Sequence, residues 1–171
     1  MSKAAQPLEI NPFALASMWS AWLNILRHPS VRKTTGMLAQ GISLSSPKCC
    51  LGQLCYALAL DHQFDAGDDD VRFRVGDVWE TSMLPTPLAQ YMDIGKGGDF
   101  ACSFTANGFD VSSLAELNDE DGAKKFGLKR IATLIENYPR ILLRHDGTCR
   151  DGWREDVEAA AKRYGWKIQE D

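Results

Sequence analysis

The sequence predicts an α+β fold in which a central buried helix packs with amphipathic helices and a small antiparallel sheet. The first observation is a nearly uninterrupted apolar stretch over 49–60, which is typical of a helix buried on all sides. The second is the alternation of apolar and polar residues over 71–75 and 99–105, which is typical of half-buried strands. The third is the helical spacing of apolar residues in three further segments, at 12–28, 128–138 and 152–164.

The first two helices have recognisable starts. Asn11 suits the N-cap and Pro12 suits the first helical position, where no backbone N–H is needed. Pro29 ends this helix. For the central helix, the sequence predicts Ser46 as the cap and Pro47 in the first turn.

The segments between the helices predict two hairpins and two polar connections. Residues 61–70 contain five aspartates, so we expect a solvated loop there. A strand over 71–75 is followed by a return strand that begins at Val78. A second hairpin turns at Asn107–Gly108, because both residues tolerate positive φ. Residues 112–121 are expected to form a polar turn.

The sequence also predicts how the chain divides. Residues 1–10 are expected to be a flexible lead, and 11–139 the α+β core. Pro139 marks the one place where we expect a boundary. Residues 140–171 then form an extension packed on the core, made of a short strand at 141–143 and a helix.

The composition excludes several classes of protein. The chain has 171 residues and a net charge of −4, which argues against general nucleic-acid binding, since that usually needs a basic surface. No apolar run approaches the roughly 18 residues of a transmembrane helix, and the N-terminus has no signal-peptide pattern. We therefore expect no membrane association and a cytoplasmic location.

Five cysteines raise the questions of a metal site and of a reactive thiol. Their number is odd and three lie in the apolar stretch, which favours reduced thiols used as small hydrophobic side chains. Their spacing does not fit a zinc knuckle, and the acidic loop lacks the pattern of an EF-hand. Cys149, near His145, is the one cysteine in a setting where a reactive thiol is plausible, although the residues fit a plain turn equally well.

No known catalytic motif is present. The chain lacks a P-loop, a dinucleotide glycine fingerprint, a nucleophile elbow and a zinc-protease helix motif. We therefore assign no catalytic residue, metal ligand or cofactor, and we expect a protein that is not an enzyme.

Two polar pairs are candidates for a binding site. Asn118 and Asp119 fit a capping role that holds loop backbone, which alone explains both residue types, but they also fit the wall of a polar pocket. Arg72 and Arg74 project from one face of a predicted strand. They suit recognition of a phosphate or an acidic partner, although exposed strand faces often carry such charges.

Several short blocks follow one another in a recognisable order along the chain. They are Trp-Leu-Asn-Ile-Leu-Arg at 22–27, Cys-Cys-Leu-Gly-Gln-Leu-Cys at 49–55 and Leu-Pro at 84–85. A Leu-Ala-Glu-Leu-Asn-Asp block at 114–119 follows, and then Ile-Ala and Ile-Glu within 131–136. In this order the blocks resemble a widespread family of small, uncharacterised phage and prophage proteins.

The resemblance covers roughly 13–138, and the Cys-Cys-Leu-Gly block is its most specific part. The family pattern usually has Ser-Phe before its last helix, where this chain has Phe126-Gly127. The resemblance implies a phage or prophage origin and, with it, a place in the cytoplasm of a bacterial host. It brings no established activity.

The predicted function is a phage or prophage accessory protein that acts without catalysis by binding a host or defence protein. Anti-defence activity, including anti-CRISPR activity, is one form of this. The alternative is a small-molecule or nucleotide-binding protein, or a small hydrolase, with a polar pocket near Asn118 and Asp119. The oligomeric state is not predicted.

Overall fold

The computed structural model describes residues 11–64, 70–119 and 126–169. Six α-helices lie in this part of the chain, with a short 3-10 turn at Pro139–Ile141. The helices are α1 (Pro12–Arg27), α2 (Cys50–Ala57), α3 (Thr86–Met92), α4 (Leu114–Asp119), α5 (Leu128–Asn137) and α6 (Trp153–Tyr164).

Two antiparallel three-stranded sheets complete the described part of the fold. The first has the order β1-β2-β3 and the second the order β5-β4-β6. The strands are β1 (Asp61–Phe64), β2 (Val71–Val75), β3 (Val78–Glu80), β4 (Asp99–Ala106), β5 (Phe109–Ser113) and β6 (Lys167–Ile168). The predicted α+β class is confirmed, with two small sheets where the sequence predicted one.

Helix α2 is the buried centre of the molecule. Its residues from Cys50 to Cys55 are all buried, and it packs against α1 and α4. The Trp22 indole N–H of α1 donates to the Cys50 carbonyl over 2.8 Å. Gly52 allows a further close approach, because a Cβ at this position would lie 1.8 Å from the Leu38 carbonyl oxygen. Helix α5 packs on α1.

The predicted start of the central helix is wrong. Helix α2 begins at Cys50, and Cys49 is its N-cap, with the sulfur accepting from the Gly52 N–H at 3.3 Å. Lys48 instead joins neighbouring extended segments, since its N–H donates to the Arg32 carbonyl and its own carbonyl accepts from Thr34. Backbone pairing with distant segments thus outweighs the local capping signal of Ser46 and Pro47.

Three other local predictions are also wrong. Residues 61–64 form β1 and not a loop, because β2 supplies the hydrogen-bonding partner that a polar sequence does not reveal. Residues 114–119 form helix α4 in place of a polar turn. Residues 139–141 form a 3-10 turn, and only Leu142 makes a strand-like bridge, to Phe100.

The hairpins and the remaining helices follow the sequence more closely. Asn107 and Gly108 have φ of 55° and 88°, as their turn requires, so the hairpin of β4 and β5 is confirmed. The C-terminal helix α6 is also confirmed, and its Val157 and Ala160 belong to the same hydrophobic core as Trp22. The predicted lead over 1–10 and part of the predicted acidic loop, 65–69, lie outside the described residues.

Candidate functional site

Asn118 occupies a fully buried position between three segments. Its carboxamide oxygen accepts from the Cys50 N–H at 3.1 Å, so it satisfies an amide at the start of α2. Its amide group donates to the Thr34 carbonyl at 2.8 Å and to Asp119 at 2.9 Å. These contacts fit the predicted role of holding loop backbone.

Asp119 extends the same network to the surface. Its carboxylate accepts from the Gly36 N–H at 2.9 Å, and the Lys33 ammonium donates to the Asn118 carbonyl at 2.7 Å. The pair therefore fixes the 33–36 loop against α2 and α4. Contact of Asn118 or Asp119 with a ligand stays a prediction.

Arg72 and Arg74 lie on the outward face of the first sheet. They alternate with Val71 and Phe73, which are buried. The two guanidinium groups lie 5.8 and 5.1 Å from the centre of the Trp79 ring, and Arg74 pairs with Asp61 at 2.7 Å. Arg72 and Arg74 thus share one strand face, as predicted. The residues they contact differ from those that Asn118 and Asp119 contact, so the arginine pair and the Asn118–Asp119 pair do not form one site.

The three cysteines at the centre of the fold are chemically quiet. Burial raises the pKa of Cys49 to about 11 and raises the pKa of Cys50 and of Cys55 well above the ordinary value. These thiols stay protonated at neutral pH and pack as small hydrophobic groups. Within the described ranges, no three His, Cys, Asp or Glu side chains gather as a metal site would require.

Cys149 is exposed, and the nearby polar cluster is centred on Asp93. His145 Nδ1 lies 2.8 Å from one Asp93 oxygen, and Arg144 and Arg150 lie 3.5 Å from the other. Asp93 is also the C-cap of α3. The cluster therefore holds the end of α3 to the 142–150 loop.

A concave feature lies among residues that the sequence did not identify as a site. It is a depression of about 670 Å³ between α1, the 42–44 loop, the end of α2 and the first sheet. We call it the α1 depression. Its walls are mainly apolar, with four side chains that can form hydrogen bonds: Asn24, His28, Tyr56 and His62.

The backbone is strained at one of the residues that line the α1 depression. Ala59, one of its lining residues, has φ of +51°, a conformation that glycine adopts far more readily. Ala59 and Leu60 close α2 by donating to the carbonyls of Tyr56 and Cys55, which is the Schellman arrangement. The methyl group of Ala59 therefore lines the depression at a position where the backbone conformation favours glycine. Backbone strain of this kind is often found at functional sites.

A buried lysine supports one wall of the α1 depression. Lys48 is 0% exposed, and its ammonium donates to the carbonyls of Ser43 and Ser46 and lies 4.3 Å from the centre of the Tyr56 ring. Burial lowers its pKa to about 8. Lys48 thus ties the loop that carries Ile42 and Leu44 to helix α2.

Two smaller hollows adjoin the α1 depression, one at each end. An apolar groove of about 340 Å³ shares Leu60 with it, and a second groove of about 280 Å³ shares His28. Met18, Ala21 and Ile25 line this row of hollows from one stripe of α1. From Met18 to His28 the helix rises about 15 Å, so the row is long enough for an extended segment or a short helix.

No protein family, curated protein or solved structure matches this chain in comparisons with known proteins. The resemblance to phage and prophage proteins therefore stays a prediction. No helix in the described part of the chain combines the length and apolar character needed to cross a membrane.

Sequence reasoning missed the α1 depression because its walls come from five separate segments. His28 follows a helix end and His62 lies in an acidic stretch, so neither suggests a shared surface. The groove that shares His28 has a signal in the sequence. Lys129 and Arg130 stand at the start of the predicted helix, where basic residues are unfavourable.

Proposed function

We propose that this chain is a non-catalytic binding protein that holds a partner protein in the α1 depression. The observation that carries the proposal is the depression itself, which is apolar and continues into two grooves. Ile42 is 39% exposed, and Phe64, which shares a strand face with His62, is 52% exposed. Exposed apolar side chains around a concave surface are typical of protein interfaces.

The lining of the α1 depression supports binding without catalysis. Its described lining residues include neither a carboxylate nor a thiol, and Ser30 donates its backbone N–H to His28 Nδ1 at 3.1 Å. A catalytic histidine normally has a second polar group that orients it toward a nucleophile. The contact of His28 is with the backbone N–H of Ser30. This contact orients the imidazole ring but does not direct it toward a nucleophile.

The kind of partner comes from the resemblance described above. A phage or prophage accessory protein works in the cytoplasm of its bacterial host, where its partners are host or defence proteins. We therefore propose a host or defence protein as the partner, with anti-defence activity, including anti-CRISPR activity, as one form.

A small apolar molecule is the second candidate occupant. The volume of the α1 depression, about 670 Å³, lies within the range of small-molecule sites. Its four polar side chains are also the number expected to orient such a ligand. Neither Asn118 nor Asp119 lines it, so this candidate differs from the polar pocket that the sequence suggested.

Photo-crosslinking distinguishes the two occupants. A benzophenone amino acid replaces Ile42 in one variant and Phe109 in the control, since Phe109 is 45% exposed but lies in β5, away from the α1 depression. In bacterial lysate we expect one discrete protein adduct from position 42 and none from position 109. Unlabelled wild-type protein should compete for the adduct, whereas an Ile42→Asp variant should not.

A small-molecule occupant gives a different mass. The labelled chain would then gain only the mass of a small compound and no protein adduct. Equal protein adducts from positions 42 and 109 would contradict binding in the α1 depression.

A further inference from the structure

The groove that shares His28 with the α1 depression has a charge of its own. Lys33, Lys129 and Arg130 lie among its lining residues, and none of the described lining residues is acidic. The same groove is also lined by the apolar residues Leu26, Val31 and Leu128, which we call its floor. We call this hollow the basic groove. It is a local concentration of positive charge on a chain whose net charge is −4.

Two of these cations are placed against the electrostatics of their helix. Lys129 and Arg130 lie in the first turn of α5, where the helix dipole is positive and where cations lower helix stability. No acidic residue lies in that turn, and the N-cap, Gly127, has no side chain to accept a hydrogen bond. The free protein therefore gains nothing from the dipole at this position.

The fold explains two of the three cations. Arg130 packs over the rings of Phe126 and Tyr164, at 4.6 and 5.4 Å, and Lys33 donates to the Asn118 carbonyl. Lys129 is exposed and makes no ion pair within the described residues. Its position is unfavourable to the helix, and no acidic side chain in the described part of the chain compensates it.

We propose that the basic groove binds an acidic segment of the partner protein. Carboxylates of that segment lie against Lys129, Arg130 and Lys33, and a neighbouring apolar side chain lies on the floor at Leu128. A groove that combines cations with an apolar floor suits a peptide better than a nucleic-acid backbone, which carries a charge at every step. Because His28 joins the basic groove to the α1 depression, this inference rests on the proposed function and specifies the chemistry of its partner.

The partner segment then has two parts. An apolar part occupies the α1 depression, and an acidic part beside it occupies the basic groove. Charge at the edge of an interface mainly sets the association rate and the choice of partner, so the acidic part supplies specificity.

A displayed library of random 12-residue peptides tests this inference with the full chain as bait. Among the peptides retained by the wild-type protein, we expect an excess of Asp and Glu next to a large apolar residue. Individual enriched peptides should bind a Lys129→Glu variant about tenfold more weakly, since the change replaces an attraction by a repulsion. A Lys162→Glu variant is the matched control, because Lys162 is an exposed lysine at the end of α6, and it should bind like the wild type.

The outcomes separate the basic groove from the α1 depression. An enriched pool without acidic residues, no enrichment, or equal binding by Lys129→Glu and wild type each overturns the basic groove. If Ile42→Asp weakens the peptides but Lys129→Glu does not, the α1 depression stands and the basic groove fails. If only Lys129→Glu weakens them, the basic groove stands and the proposed use of the depression fails.

Discussion

Helices α5 and α6 place their charges in opposite ways. Helix α6 has Glu155 and Asp156 in its first turn and Lys162 and Arg163 in its last, as the helix dipole favours. Helix α5 has Lys129 and Arg130 in its first turn and no basic residue in its last. The charges of α6 stabilise its own helix, whereas those of α5 do not.

The difference between the two helices separates charges that support the fold from charges that do not. In α6, Asp156 accepts from the Arg140 backbone N–H at 2.9 Å and pairs with its guanidinium at 2.7 Å. In α5, Glu136 near the last turn pairs with Arg27 of α1. Lys129 has no such partner among residues 11–64, 70–119 and 126–169, and it lies in the basic groove. Natural proteins depart from local rules most often at functional positions.

The comparison of α5 with α6 assumes that both helices rest on a rigid core. Asn118 lies in that core, and its replacement tests the assumption. It should give the largest change in the free energy of unfolding. Asn118→Ala leaves the Cys50 N–H and the Thr34 carbonyl without partners, so we expect the free energy of unfolding to fall by about 2–3 kcal/mol. Urea denaturation measures this change. Asp119→Asn keeps an acceptor for the Gly36 N–H but places its own amide against the Asn118 amide that Asp119 accepts, so we expect a smaller loss of about 1 kcal/mol. Equal losses in both variants would contradict the central position of Asn118.

Asp156 tests whether the charges of α6 support the fold. Asp156→Ala removes both contacts with Arg140, and we expect a loss of about 2 kcal/mol in the free energy of unfolding. Glu155→Ala is the control, because Glu155 is exposed and pairs with the same arginine at 3.2 Å. Its loss should stay below about 0.5 kcal/mol. Thermal unfolding of both variants checks this order. A larger loss of stability in Glu155→Ala than in Asp156→Ala would contradict the supporting role of Asp156.

Lys48 tests a charge that works against the fold. Its pKa is about 8 in the folded protein and 10.5 for an ordinary exposed lysine, so between these two pH values the unfolded chain binds more protons. This group therefore makes stability rise with pH over about 8–10.5, and below pH 8 its burial lowers stability.

The measurement for Lys48 is the free energy of unfolding at several pH values, for the wild type and for Lys48→Met. Other lysines and tyrosines titrate in both proteins, so the difference between them isolates Lys48. We expect the wild type to gain stability relative to Lys48→Met as the pH rises from 8 to 10.5. A difference that stays constant with pH would contradict a lowered pKa.

Local signals in the sequence predicted those parts of the fold that depend on neighbouring residues. The Asn107–Gly108 turn, the cap at Asn11 and the alternation over 71–75 each act within a few residues. Asn11 accepts from the N–H of Phe13 at 3.0 Å, as its position predicted.

Contacts between distant segments were beyond the sequence. Strand β1 is exposed at all four positions and polar at three of them, and it exists because β2 pairs with it. Lys48 follows the predicted cap Ser46 and Pro47 but lies before α2, where it is buried and donates its ammonium to the Ser43 and Ser46 carbonyls. The α1 depression, which depends on five segments meeting, was likewise invisible until the fold was known.

The central claim is that Lys129 does not support the fold. The most direct test is a small change in the free energy of unfolding, whose sign should differ between charge reversal in α5 and in α6. We would measure the free energy of unfolding at low ionic strength for Lys129→Glu and Lys162→Glu beside the wild type. Lys129→Glu places an acid at the start of α5 and should gain about 0.3–1 kcal/mol, while Lys162→Glu at the end of α6 should lose a similar amount.

Changes of opposite sign in the free energy of unfolding would show that Lys129 lowers the stability of the free protein. This is expected of a residue that serves to bind a partner. A loss of stability in Lys129→Glu would contradict the account, because Lys129 would then support the fold as Lys162 does.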